Sequence, residues 1–105
     1  MTDETISIDV AVAGDAVVVA VLGEIDLDSV PHLRAVLESI DAGRDVIIDC
    51  TRLQFMDSTG LQLFVTQSQR LSAGGGSLQL RNTSFPVRHI VEITGLIELL
   101  APDGE

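Results

Sequence analysis

Val46-Ile47-Ile48-Asp49-Cys50-Thr51-Arg52-Leu53-Gln54-Phe55-Met56-Asp57-Ser58-Thr59-Gly60-Leu61 is the stretch on which the reading of this chain turns. Val46 to Cys50 is a short apolar run with a single aspartate, the pattern of an interior strand. From Ser58 to Ser72 the period is helical: Leu61, Phe64, Val65 and Leu71 recur on one side, and Gly74-Gly75-Gly76 stops the helix. Met56-Asp57-Ser58-Thr59-Gly60 lies between the two elements. Asp57 or Ser58 suits the N-cap, because a short side-chain oxygen there can accept from an otherwise orphaned N–H of the first turn.

Working outward, Ile6 to Val12 alternates, with Ile6, Ile8, Val10 and Val12 on one face and Ser7, Asp9 and Ala11 on the other, as in a half-exposed strand. Gly14-Asp15 is a hairpin turn. Ala16 to Leu22 is continuously apolar, which predicts a central strand covered on both faces and ended by Gly23. A helix comes next, with Val30, Leu33, Val36, Leu37 and Ile40 inward, Asp28 or Ser29 at its cap, Pro31 in its first turn and Gly43 as its stop. Leu78 and Leu80 alternate in a short strand. Val87, Ile90, Val91, Ile93 and Leu96 line a third helix, and Ile97, Leu99 and Leu100 suit a last edge strand. The order β-β-α-β-α-β-α predicts one α/β domain over residues 1–105, a mixed sheet of four or five strands with packed helices.

Bulk properties narrow the function. A chain of 105 residues can bury roughly 60–70% of its unfolded surface, enough for one core without metal or disulfides. With three Phe, no Tyr and no Trp, that core is aliphatic. The one cysteine, Cys50, sits in an apolar run and reads as a buried free thiol. The acidic, polar start carries no secretory signal, and no apolar run approaches the ~20 residues that span a bilayer. A cytoplasmic protein is expected. The net charge of −10, with all six basic residues Arg, argues against direct nucleic-acid or membrane binding and favours a protein partner with a basic face.

Enzyme readings are poorly supported. Asp57-Ser58-Thr59-Gly60 lacks the spacing and the second copy of an aspartic protease dyad, and Met56 stands where a nucleophile elbow needs glycine. Asp49 reads as a strand-end carboxylate bonded to nearby backbone. His32 and His89 have no ligands at metal spacing, and Gly74-Gly75-Gly76 ends a helix where a phosphate loop begins one. No catalytic residue, metal or cofactor is expected. Two features remain: Ser58 at a helix mouth, where a phosphate is tolerated, and the acidic loop Glu24-Ile25-Asp26-Leu27-Asp28, either a solvated loop or a docking surface.

Three segments together resemble the anti-sigma factor antagonists of the STAS domain class: Gly23-Glu24-Ile25-Asp26, the stretch from Val46 to Leu61, and Val91-Glu92-Ile93-Thr94-Gly95-Leu96. The resemblance implies a mixed sheet with packed helices and a partner-switching role. The unmodified antagonist would bind an anti-sigma factor that is also a serine kinase, freeing a sigma factor. Phosphorylation of Ser58 would end the association, and a serine phosphatase would restore it. Asp57 would help position or orient Ser58, with Thr59 and Gly60 beside it on the contact face and Glu24 and Asp26 on the docking face. Where relatives often carry glycines after Gly60, this chain has Gln62, Phe64 and Thr66. Other members of the class act as unphosphorylated scaffolds or sensor-complex subunits. A small nucleotide-binding enzyme using Asp49, Asp57 and Ser58 is the reading from a different class.

Overall fold

β1 (Ile6–Ala13) and β2 (Ala16–Ile25) form a hairpin across the two-residue turn Gly14-Asp15, with Gly14 at φ +63°. A computed structural model of the chain describes residues 6–96 and Leu99. After α1 (Val30–Glu38) come β3 (Asp45–Asp49), β4 (Leu53–Met56), α2 (Ser58–Ala73), β5 (Ser77–Arg81) and α3 (Phe85–Ile93). The sheet is mixed and five-stranded: β1 pairs antiparallel with β2, while β2–β3, β2–β4 and β3–β5 are parallel.

β2 organises the molecule. Its first half pairs with β3 from Ala16↔Asp45 to Ala20↔Asp49, and its second half with β4 from Gly23↔Leu53 to Ile25↔Met56. Gly23 was expected to end this strand. Instead it sits inside it at φ +112°, where the register shifts before Glu24. Glycine tolerates that backbone, and the bulge lets one strand serve two partners in turn.

β2 was also expected to be covered on both faces, and it is not. Val17, Val19, Val21 and Ile25 are buried, whereas Leu22 on the other side is exposed. The described helices therefore need only one apolar face of the sheet, and the run of small and β-branched residues in β2 reflects close strand pairing as much as burial. Val10 and Val12 pair with Val19 and Val17 and so share the inward face, yet they are 52% and 69% exposed. β1 is an edge strand, and the helices lie elsewhere: α2 packs on β4 and β5, and α3 on β4.

The core is aliphatic apart from Phe64, with Leu33, Leu37, Ile48, Leu71, Leu80 and Val91 among its fully buried members. α1 ends at Glu38, before Gly43; Gly43 instead turns the chain at φ +95°. Ile93, expected to face inward, is 68% exposed at the last turn of α3. Of the predicted final strand, Leu99 is buried in a 3₁₀ turn, not a strand, while Ile97 and Leu100 lie outside the described residues.

Candidate functional site

The site is built by the paired ends of β2 and β4. Because these strands run parallel, their carboxyl ends stop side by side, and the Asp57 N–H donates to the Ile25 carbonyl (3.1 Å). The loop into α1 and the entrance of α2 are thereby brought together. Residues some thirty positions apart in sequence share one edge, the usual place for a site in a sheet of this kind.

Asp57 is the N-cap of α2, with extended backbone at φ −98° and ψ −173°. Its Oδ1 accepts from the Thr59 N–H (2.9 Å), the Thr59 hydroxyl (2.5 Å) and the Gly60 N–H (3.4 Å). Among the described helices, α2 is the one with a side-chain cap; Ser29 and Ser84 stand at the N-caps of α1 and α3 without making such a bond. Ser58, between Asp57 and Thr59, is exposed. Its hydroxyl has no hydrogen-bond partner among the described residues. Gly60 is buried against β2: a Cβ there would lie 2.5 Å from Ile25 Cγ2 and 2.8 Å from Met56 Cγ. Glycine at this position lets the first turn of α2 close onto the sheet, which holds Ser58 at the rim.

Across the edge, Glu24 is exposed and Asp26 half-buried. Asp26 shapes its own loop, its Oδ1 accepting from the N–H groups of Asp28 and Ser29 (both 3.0 Å). Ser29 is fully buried; its hydroxyl donates to the Glu24 carbonyl (2.8 Å) and accepts from the Asp26 N–H (2.9 Å). Asp26 thus supports the loop and Glu24 presents charge. Ser29 was expected only as a helix cap; its larger role, bracing the loop, depends on a carbonyl five residues away. Leu27, in the sequence only a member of the acidic loop, is a large apolar side chain left 73% exposed between Asp26 and Asp28. Leu27 and Thr59 both line a groove of about 400 Å³ between α1 and α2, floored by Val30 and Leu63 and flanked by Arg34 and Glu38. The groove's far end is fastened by Gln67, only 2% exposed, which donates to Glu38 (3.5 Å) and accepts from Arg70 Nε (2.9 Å).

The STAS domain profile matches residues 7–102. The chain belongs to the STAS domain family. Among curated relatives of this STAS chain, the anti-sigma-B factor antagonist of Bacillus subtilis is 36% identical over 96 residues, covering 90% of this chain and 88% of that protein. The solved structure of the anti-sigma factor antagonist SpoIIAA in its unphosphorylated form is similar with TM-score 0.73 and 26% identity, covering 90% of this chain and 86% of that one. The Bacillus cell fate determinant SpoIIAA in the phosphorylated form is similar with TM-score 0.67 and 26% identity, covering 90% and 89%.

The neighbouring strand end of this STAS domain is closed. Asp49 Oδ1 accepts from the Thr51 N–H (3.0 Å), the Thr51 hydroxyl (2.5 Å) and Asn82 Nδ2 (3.1 Å). The Thr51 hydroxyl, helped by the Asn82 bond and opposed by partial desolvation, holds the Asp49 carboxyl below the usual carboxylate value. Cys50 is fully buried, and burial, followed by the charge of Asp49, pushes its thiol up to about 12. It is a thiol, not a thiolate, at neutral pH. No group of three or more His, Cys, Asp or Glu suited to a metal occurs among the described residues, and no described helix is long and apolar enough to cross a membrane.

Proposed function

We propose that this STAS domain is a cytoplasmic anti-sigma factor antagonist: unmodified, it binds an anti-sigma factor serine kinase and frees a sigma factor, and phosphorylation of Ser58 ends that binding until a serine phosphatase removes the group. The observation that carries the reading is the exposed, unbonded hydroxyl of Ser58 at the capped mouth of α2. The similarity to antagonists, one of them solved in both unphosphorylated and phosphorylated forms, supports it. The contact face would comprise Glu24, Asp26, Asp57, Ser58, Thr59 and Gly60, Gly60 contributing backbone placement. The domain itself performs no catalysis in this reading.

Magnitudes say where such a switch must act. Reversing a 1:99 population takes about 5.5 kcal/mol of differential affinity. A phosphate about 4 Å from a carboxylate interacts by roughly 1 kcal/mol per charge pair in water, against roughly 4 kcal/mol at an effective dielectric of about 20. Since Ser58 is exposed, a phosphate on the free domain stays hydrated and changes little. The discrimination arises when a partner covers Ser58, so that the added charge of about −1.5 to −2 must be both desolvated and repelled. The acidic rim around it steers a basic partner face to the site.

The test is incubation with candidate anti-sigma factor kinases and ATP, with the phosphate mapped by mass spectrometry. Ser58→Ala is expected to lose the modification and keep partner binding, and Ser58→Glu to weaken binding by about 100-fold or more, a shift of about 2.7 kcal/mol. Full binding by Ser58→Glu, or a phosphate mapped to another residue in the unmodified sequence, would overturn the reading in favour of a constitutive scaffold.

A further inference from the structure

Two hydroxyls stand next to each other at the head of α2, and both have access to solvent or to the groove. Ser58 is exposed, and Thr59 is half-buried and lines the α1–α2 groove. Resting on phosphorylation of Ser58 as the switch, we propose that Asp57 is a positioning residue that withdraws the Thr59 hydroxyl from phosphoryl transfer and thereby makes Ser58 the acceptor. The hydroxyl proton of Thr59 is directed at Asp57 Oδ1 at 2.5 Å, while the backbone N–H of the same residue holds the same oxygen at 2.9 Å. Threonine is therefore tied twice to one atom, and rotation of its side chain breaks a charge-assisted bond. Ser58 carries no such tie.

In the transfer, the bond from the γ-phosphorus of ATP to its bridging oxygen breaks and ADP leaves with that electron pair. A bond from phosphorus to the acceptor Oγ forms, and the hydroxyl proton passes to a base of the kinase. An acceptor must present its proton to that base. Ser58 does so at no cost, whereas Thr59 must first give up its carboxylate, which disfavours it by about 10- to 100-fold. Asp57 Oδ1 also accepts from the backbone N–H groups of Thr59 and Gly60, so the carboxylate is fixed in place as the anchor of the Thr59 hydroxyl.

The experiment uses the full chain, ATP and the kinase identified through Ser58. Ser58→Ala is expected to take no phosphate. Combining it with Asp57→Ala is expected to bring phosphate to Thr59, raised at least 10-fold over Ser58→Ala alone. The Asp57→Asn pair, which keeps an amide oxygen for capping, is expected to give an intermediate yield and guards against a poorly folded alanine variant. Phosphate on Thr59 while Asp57 is intact overturns the proposal. So does its absence from both double variants, and so does loss of Ser58 phosphorylation in Asp57→Ala alone, which would assign Asp57 to kinase recognition. A kinase-independent reading is the Thr59 hydroxyl proton in NMR: slow exchange with water is expected, and exchange as fast as that of Ser58 overturns the anchor. If the unmodified chain takes no phosphate on Ser58, the switch itself has failed; the NMR result still decides the tie.

Discussion

The chain ties the same knot at the ends of two strands, β3 and β4, that each pair with β2. At the last residue of β3, Asp49 accepts from the N–H and hydroxyl of Thr51 at 3.0 and 2.5 Å; just after β4, Asp57 accepts from the N–H and hydroxyl of Thr59 at 2.9 and 2.5 Å. The residue between the two anchors differs in character. Cys50 is sealed in the core, and Ser58 is open to water. The continuation of the chain differs too. Thr51 leads through an exposed Arg52 into β4, whereas Thr59 leads into the buried Gly60 and the long helix α2. An Asp-x-Thr closure is therefore a local device for finishing a strand. The two closures diverge at the central residue and in where the next turn is allowed to settle.

The largest expected effect contrasts the two central residues directly. In a Ser58→Cys variant the new thiol starts from the ordinary value near 8.5, which a helix mouth lowers, while Cys50 is pushed to about 12. At pH 8 the thiolate fractions alone differ by about 1000-fold, and burial of Cys50 adds to the contrast. Mass spectrometry of iodoacetamide-treated native protein should find the label at position 58 and none at Cys50. Comparable rates at both would dissolve the distinction between a sealed and a presented residue.

Next in size is the residue three places after each aspartate. Gly60→Ala forces a methyl into the space of Ile25 and Met56, where the flanking atoms are 2.5 and 2.8 Å away. Overpacking of this kind costs about 1–3 kcal/mol. Arg52→Ala, on the exposed surface of the other knot, should stay within about 0.5 kcal/mol of the parent. Urea unfolding of both variants measures the difference, and a Gly60→Ala domain as stable as the parent would remove the close approach of α2 to β2.

The smallest effect is the pH dependence of the first knot. Its bonds, that from the Thr51 hydroxyl first, keep the Asp49 carboxyl below the ordinary value of 3.8. Folding therefore gains from the carboxylate above that pH and loses the gain as pH falls through the lower folded value. Asp49→Asn should flatten the acid limb of a stability–pH curve while leaving other carboxylates to titrate. An unchanged acid limb would show that the knot stabilises nothing.

How far the sequence could be read depends on which interactions are local. Apolar runs at Val17–Val21 and Val46–Ile48, helical spacing from Leu61 to Leu71 and the cap at Asp57 depend on near neighbours, and each is where its pattern placed it. β4 was missed because Leu53-Gln54-Phe55-Met56 is four residues long and becomes a strand only by pairing with β2 beyond a bulge. Val10, Val12 and Ile93 carry inward patterns yet reach past the covering elements, so periodicity predicts their side but not their shelter. Gln67 shows the converse, a polar residue buried because Glu38 and Arg70 meet it across two helices. At the site, the helix mouth at Ser58 was legible from its capping pattern. The tie between Asp57 and Thr59 was not, since composition carries no hydroxyl rotamers.

α2 is wedged at both extremities by glycines with no room for a side chain: Gly60 against Ile25, and Gly74 and Gly76 against backbone atoms of Ala42, Gly43 and Arg44. A rod clamped at each end neither slides nor tilts when something is attached to its tip. Under the proposed switch, a mark at that tip would be read by touch, like raised type on a fixed plate, and a reader would tell the two states apart without the rest of the domain changing shape.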